Sequence, residues 1–253
     1  MPAATLARSV LLEARRGGLP WLAIAAVALG LGLAAFASQV ALTESLALQA
    51  ALVASVLRAC AVFLVAAQVT ASTLREMQDK GLELMLSFPF SRTTHYLGRL
   101  AGFVACGAAL ALAFAAPLLA WAAPGAVALW AVSLAGEAAL VAAAALFFAM
   151  TLAQFVPAIA ATAGLYLLAR SIGAIQAIAA GPLAEASLAS RIAQHAVDAV
   201  ALALPRLDAM TRTAWLLYEA PSALAYAAAL GSALVYTLLL VAAGLFDFHR
   251  RSV

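Results

Sequence analysis

Charged side chains are scarce in this sequence of 253 residues, of which Asp, Glu, Lys and Arg make up only 10% and hydrophobic residues 67%. A soluble domain carries roughly 25% charged residues. The mean hydropathy of +1.06 agrees with this scarcity. Water therefore cannot be the only solvent, and we expect an integral membrane protein.

Residues and motifs that carry chemistry are also few. The only cysteines, Cys60 and Cys106, lie inside apolar runs, which excludes a disulfide framework and a CxxC site. His95, His195 and His249 are far apart, and the sequence contains neither HExxH nor GxSxG. We therefore expect no metal and no catalytic residues. A GxxxxGK[ST] motif is missing too, so if the protein works with ATP, another chain must supply the phosphate-cradling loop.

Six apolar runs are each long enough to cross a bilayer, which takes about 20 helical residues. They cover about 19–41, 48–72, 95–122, 126–152, 155–180 and 222–246. The sequence thus predicts an all-α integral membrane protein with six transmembrane helices in a single transmembrane domain over 1–253. The run at 155–180 is interrupted by Pro157, Arg170 and Gln176, so a buried or re-entrant helix is its alternative.

Lys and Arg are distributed unevenly between the two sets of connections. With the N-terminus inside, three lie outside, Arg191, Arg206 and Arg212, and nine inside: Arg8, Arg15, Arg16, Arg75, Lys80, Arg92, Arg99, Arg250 and Arg251. The positive-inside rule then places both termini in the cytoplasm. We expect a multi-pass protein of a bacterial inner membrane whose first span is retained. The net charge of +3 is explained by this orientation, so we expect the lipid bilayer and no nucleic acid as its partner.

Three segments lie between or before the runs. Residues 5–16 place Leu6 and Val10, with Leu12 as a further candidate, on one side of a helix in the cytoplasmic interface. Residues 73–94 form a cytoplasmic loop. Residues 182–220 form an outer segment, whose apolar residues permit short helices resting on or dipping into the outer face: Leu188, Ile192, Val200 and Leu204.

In the interior of the runs, away from the inner end of the third run with His95 and Arg99, the charged residues are limited to Arg58, Glu137 and Arg170. Such groups are costly in lipid and normally face protein or water. We predict that Arg58 or Arg170 neutralises Glu137, the alternative being that each arginine reaches the outer interface. Gly98 and Gly102 form a GxxxG that permits close helix packing, although alanine-rich runs produce this spacing by chance.

The most informative stretch is residues 75–99, REMQDKGLELMLSFPFSRTTHYLGR. Glu76 and Lys80 have the spacing of a helical ion pair. Leu82, Met85 and Leu86 make an apolar stripe, from which Glu83 points away, and Pro89 is expected to end the helix. These features predict a short amphipathic helix across the cytoplasmic mouth of two spans, or alternatively a solvated connector.

This stretch resembles the intracellular loop of the type-two permeases of ATP-binding-cassette (ABC) exporters. In that family an acidic and basic stretch precedes Gly-Thr-Leu-Glu-Leu-Leu-Leu, a small residue, Pro, Ser-Arg and Leu-Gly-Lys or Leu-Gly-Arg. The corresponding residues of this chain are Arg75, Glu76, Lys80, Gly81, Leu82, Glu83, Leu84, Met85, Leu86, Ser87, Pro89, Ser91, Arg92, Leu97, Gly98 and Arg99, without the Thr. The stretch LPRLDAMTRTAWLLY at 204–218 is similar to the family's approach to the last span.

The resemblance implies a permease that binds no cofactor itself and is driven by ATP hydrolysis in a separate ABC ATPase subunit. The family's loop contains a coupling helix that docks on the ATPase, which implies the contacts Arg75, Glu76, Lys80, Gly81, Glu83 and Arg92. A homodimer, or a heterodimer with a related permease, would form the pathway. The alternatives are an ABC membrane component that passes ATPase motion to periplasmic or assembly partners, and a scaffold or secondary carrier without an ATPase.

Overall fold

The computed structural model describes residues 2–40, 45–79, 91–179, 188–218 and 221–250, and within them every regular element is a helix. The helices are α1 (Pro2–Arg16), α2 (Leu19–Val40), α3 (Ser45–Gln78), α4 (Arg92–Leu118), α5 (Pro124–Leu152), α6 (Phe155–Ala179), α7 (Leu188–Ala203), α8 (Ala214–Leu217) and α9 (Ala223–Arg250). A short 3-10 helix covers Leu207–Ala209.

Six of these helices, α2 to α6 and α9, are long and apolar enough to cross a membrane. They coincide with the six apolar runs of the sequence. The predicted all-α membrane fold with six spans is therefore confirmed. The helix α6 runs unbroken through Arg170 and Gln176. It tolerates Pro157 because that residue lies in its first turn, where the backbone N–H has no helical acceptor.

Two boundaries differ from the predicted ones. The helix α3 continues to Gln78 and α4 begins at Arg92, so both ends of the loop predicted at 73–94 are helical, and we name the residues between the two helices the loop 79–91. Residues 73–78 contain no Gly or Pro to stop the helix, which therefore continues past the apolar run. At the other boundary, α4 ends at Leu118, one residue after Pro117, rather than near 122. Beyond it the backbone makes tighter hydrogen bonds, from Leu119 N–H to the Ala116 carbonyl and from Ala120 N–H to the Pro117 carbonyl.

The bundle has two distinct ends. The first, here named the loop end, contains α1, the stems of the loop 79–91, the α5–α6 turn and the last residues of α9. Its contacts include the bond from Thr151 Oγ1 to Asp247 Oδ2, at 3.2 Å. The opposite end contains the α4–α5 turn and α8, and there Trp121 Nε1 donates to Gln49 Oε1 at 3.0 Å. The structure thus places α1 and the C-terminal end of α9 at the same end as the loop.

The helix α5 lies at the centre of the bundle, packed against α3, α4, α6 and α9. Ala142 to Ala145 are at most 1% exposed, so neighbouring helices approach α5 closely. Trp130 of α5 and Phe103 and Phe114 of α4 fill the space around it. Small residues and a few large rings therefore make a dense interior.

The N-terminal helix α1 packs along α4 and is not simply laid on a surface. Val10 and Ala14 are 2% and 3% exposed, and a side chain at Gly102 would meet Val10 Cβ at 2.7 Å. The glycine at 102 is therefore where the backbones of α1 and α4 come together. Leu12 is 42% exposed, which corrects its place on the apolar side. The buried side instead follows the helical spacing of Val10 and Ala14.

The segment before the last span first packs against α6 and then enters the bundle. On α7 the side chains packed inward are Val197 and Ala201, followed by Leu204. Ile192 and Val200 are 63% and 44% exposed, so they lie on the outward side of this short helix. Beyond α7, residues 204–217 dip into the bundle, where Leu207, Met210 and Thr211 have no solvent exposure.

Candidate functional site

A buried ion pair joins the two stems of the loop 79–91. Glu76 Oε2 in the last turns of α3 pairs with Arg99 Nη1 in α4, and Arg99 is only 6% exposed. His95 Nε2 lies 3.5 Å from the other carboxylate oxygen of Glu76. Ser72 and Glu76 are four residues apart on α3, as are His95 and Arg99 on α4, so each pair faces its partner helix.

The same network reaches α1 through Ser72. The Ser72 hydroxyl accepts from Arg99 Nη2 at 2.8 Å and donates to Glu13 Oε2 at 2.8 Å. One arginine thus connects three helices at the loop end. Removing one partner of a buried pair typically costs about 3–5 kcal/mol because the other charge is left uncompensated. The stems of the loop are therefore held firmly to each other and to α1.

The exit of the loop is attached to the last helix. Ser91 caps α4, its hydroxyl accepting from the Thr94 backbone N–H at 3.2 Å. The next residue, Arg92, donates from Nη1 to the Phe248 carbonyl oxygen at 3.2 Å, and its guanidinium lies 5.9 Å from the Phe248 ring centroid. Tyr96 packs nearby against Gly244, where any side chain would overlap its hydroxyl. A movement of α4 would therefore also displace α9, because Arg92 and Tyr96 of α4 contact Phe248 and Gly244 of α9.

The residues that the resemblance implies as ATPase contacts fall into three groups. Arg75 is exposed and lines a cleft of about 420 Å³, between the end of α3 and the α5–α6 turn at Gln154. Glu76 and Arg92 already have partners within the chain, in Arg99 and Phe248. Lys80, Gly81 and Glu83 lie outside the described residues, and so do the expected Glu76–Lys80 pair, the stripe Leu82, Met85 and Leu86, and Pro89.

A second polar cluster lies inside the bundle, around Glu137 of α5. Glu137 has no solvent exposure, and its two carboxylate oxygens accept from Tyr166 Oη at 2.8 Å and Thr211 Oγ1 at 2.5 Å. Arg170 Nη1 lies 3.7 Å from Glu137 Oε1. Ser133 and Glu137 are four residues apart on α5, as are Tyr166 and Arg170 on α6, so both helices turn polar side chains toward one place.

The two arginines of the spans have different partners. Arg170 Nη1 also donates to the carbonyl oxygens of Leu207 and Met210, at 2.6 and 2.7 Å. Arg58 Nη1 donates to the Thr211 carbonyl oxygen at 3.1 Å. Of the two partners considered for Glu137, the structure places Arg170 beside the carboxylate. Both arginines face the segment 204–217 inside the bundle.

Thr211 is the residue on which this cluster converges. It has no solvent exposure and a φ of +47°, which is a genuine outlier for a β-branched residue. Its N–H donates to Ser133 Oγ at 2.8 Å, its hydroxyl donates to Glu137 and its carbonyl accepts from Arg58. Backbone strain of this kind costs roughly 1–3 kcal/mol and persists only where the surroundings over-determine it. The hydrogen bonds of Thr211 to Ser133, Glu137 and Arg58 hold its backbone in this strained conformation.

Sequence reasoning missed several members of both clusters. The polar pairs spaced by four, Ser72 with Glu76 and Ser133 with Glu137, are visible in the sequence and would have indicated the helix faces involved. Nothing in the sequence around Thr211 points to its role. Among the described residues, no group of three or more His, Cys, Asp or Glu side chains is arranged to hold a metal ion.

No model of a known protein family matches the chain, and no curated protein matches it.

Proposed function

We propose that this chain is the permease subunit of an ABC transporter, an exporter whose ATPase is a separate polypeptide. The observation that carries the proposal is the ordered string of residues from Arg75 to Arg99, which resembles the coupling loop of type-two permeases. The Lys and Arg bias places this loop in the cytoplasm, where an ATPase would meet it. The chain lacks a phosphate-binding motif of its own, which fits this division of labour.

The attachments of the loop to the neighbouring helices support a role in transmitting force. Its stems are joined by the Glu76–Arg99 pair, and its exit is attached to α9 through Arg92. A flexible connector would need neither attachment. A push on this loop would instead be passed to α3, α4 and α9 together, because the Glu76–Arg99 pair joins α3 to α4 and the Arg92–Phe248 hydrogen bond joins α4 to α9.

Transport between two copies fits the packing of one copy. The central helix α5 is two-thirds buried over its most apolar window, and its alanines leave no room beside it for a substrate. A pathway would therefore form between two permeases. Alternation between inward and outward access would follow closure of two ATPase subunits beneath the dimer.

A purely mechanical transmitter would need an outer domain to meet its partners. Residues 204–217 are instead drawn into the bundle, with Leu207 and Thr211 fully buried. This leaves α7 as the chief exposed part of the described outer segment. We therefore favour transport over the alternative role.

The experiment compares two charge reversals in the same loop. The Glu83→Arg protein and its control, Asp79→Arg, are purified from native membranes, and the retained P-loop ATPase is identified by mass spectrometry and assayed. Reversing an interface charge costs about 2–5 kcal/mol, so ATPase affinity should fall by about thirtyfold or more at Glu83. Asp79 is exposed and is not one of the residues that match the family's loop, so its variant should retain the ATPase.

Arg92→Glu is a second arm with a control for folding. Because Arg92 also binds the Phe248 carbonyl, its variant is accepted only if it elutes in size-exclusion chromatography as the wild type does. Unchanged ATPase retention and activity in both the Glu83 and the Arg92 variant would refute the coupling role and, with it, the proposed transporter.

A further inference from the structure

An apolar groove runs between α2 and α4 on the outside of the bundle. It has a volume of about 370 Å³, and its floor is formed by buried Cys106 of α4 and Ala14 of α1. Its walls include Ala23 of α2 and Ala109 and Ala113 of α4. We name this feature, defined by these five residues and by Arg15 at its mouth, the α2–α4 groove.

The groove exists because α2 packs chiefly on α3 and touches α4 little. Ala23, Ala109 and Ala113 are too small to fill the space between the two spans. From Cys106 to Ala113 the groove follows α4 for about 10 Å at 1.5 Å per residue. In a bilayer this space lies at hydrocarbon depth, and apolar walls offer a water molecule no partners. A lipid chain fits it better, since an empty space would forfeit dispersion contacts.

The mouth of the groove is positively charged. Arg15 lines it, and Arg15 and Arg16 are both exposed in the last turn of α1. The nearest acidic residue on α1, Glu13, turns its carboxylate to Ser72. The helix α2 begins at Leu19, so this mouth is where the chain enters the apolar layer. The Lys and Arg bias predicts the cytoplasmic leaflet here, the side whose anionic lipids attract basic residues.

We propose that the α2–α4 groove binds one acyl chain of an anionic phospholipid, whose phosphate is held by Arg15. Such a lipid would complete the contact between α1, α2 and α4. None of the residues that line the groove belongs to the coupling loop. The lipid site can therefore be tested separately from the proposed transporter function.

The test uses the full chain in nanodiscs made from equal parts of phosphatidylglycerol and phosphatidylcholine. After extraction into mild detergent, native mass spectrometry counts the phosphatidylglycerol that stays bound. One Arg contributes about fivefold to anionic lipid binding, so Arg15→Gln should lower retention by about that factor. Arg16→Gln makes the same change of charge next to the groove without lining it, and should leave retention nearly unchanged.

A second pair of variants tests the acyl chain. Ala113→Leu fills the groove and should lower retention, whereas Ala116→Leu, also exposed on α4 but outside the lining, should not. Both positions are exposed, so the substitutions do not overpack the core. Equal losses for Arg15→Gln and Arg16→Gln would show diffuse attraction only and overturn the proposal. Full retention by a well-folded Ala113→Leu protein would overturn it as well.

The groove could instead receive a second copy of the chain. Ala109→Cys, in a background without Cys60 and Cys106, reports on this arrangement. The lipid proposal predicts no disulfide between copies at this position. A disulfide-linked dimer under mild oxidation would show that protein fills the groove and would refute it.

Discussion

Substituting Gln for Glu137 keeps the shape of the side chain and removes a negative charge from a site without solvent exposure. Gln can accept a hydrogen bond through only one of its two terminal groups, so either Tyr166 or Thr211 loses its acceptor. A hydrogen bond to a charged group contributes about 1.5–3 kcal/mol, although polar pairs in membrane proteins average about 0.6. We expect Glu137→Gln to lower the free energy of unfolding by about 1–3 kcal/mol.

The Arg170→Gln variant leaves a buried carboxylate without its counter-charge, which typically costs about 3–5 kcal/mol. Adding Glu137→Gln to it removes that uncompensated charge. The double variant should therefore be more stable than the sum of the two single losses predicts, by about 1–3 kcal/mol. Part of the loss in stability should remain. The guanidinium of Arg170 donates to the carbonyls of Leu207 and Met210, whereas the shorter Gln side chain offers them only one amide nitrogen.

Arg58 provides the matched control for this cycle. It has the same side chain and also binds the segment 204–217, but its described hydrogen bond goes to the Thr211 carbonyl oxygen and not to Glu137. The cycle of Glu137→Gln with Arg58→Gln should thus show a smaller coupling energy. Equilibrium unfolding in mixed micelles with increasing SDS, followed by helical circular dichroism, measures all the variants. If Glu137 and Arg170 are additive within about 0.5 kcal/mol, the two residues are not coupled and the reasoning fails.

Three further predictions test the fold. Single cysteines at Asp79 and Asp198, both exposed, should react with an impermeant thiol reagent in intact cells only at 198; labelling at 79 alone would reverse the topology. Gly102→Ala should cost about 1–3 kcal/mol in the same unfolding assay by pushing α1 from α4, whereas Gly164→Ala, which meets nothing within 4 Å, should be neutral or stabilising. Ala153→Gly should stabilise by about 1 kcal/mol, because Ala153 has a φ of 51°; a loss of stability would contradict this account of the α5–α6 turn.

The spans could be predicted from the sequence because hydrocarbon demands runs of about 20 apolar residues, and few other segments provide them. The ends of the helices were harder to place. Helical propensity carries α3 to Gln78, beyond the point where hydropathy falls. Hydropathy reports the solvent around a segment, whereas helix ends depend on caps and breakers such as Ser91 and Pro117.

The abundance of alanine, a small residue found both in cores and on surfaces, explains the error on α1. On α1 the buried positions are Val10 and Ala14, and in this alanine-rich chain Ala14 carries no signal of its own. Leu12, the further candidate for the apolar side, is 42% exposed. The distinction depends on Gly102, which lets α1 approach and is nearly 90 residues distant in sequence.

The partners of the intramembrane arginines show where local reasoning ends. A pairing of Arg58 or Arg170 with Glu137 was one possibility, and snorkelling of both arginines to the interface was the other. The structure pairs Arg170 with Glu137 and adds a third means, because backbone carbonyls of Leu207, Met210 and Thr211 turn inward to accept from the two arginines. This requires a non-helical segment inside the bundle, where unpaired backbone groups are tolerated only if protein satisfies them. The strained φ of Thr211 helps to aim its carbonyl at Arg58 while its hydroxyl reaches Glu137. The charges and the irregular backbone thus stabilise each other. To predict the position of either one from the sequence, the position of the other would have to be known.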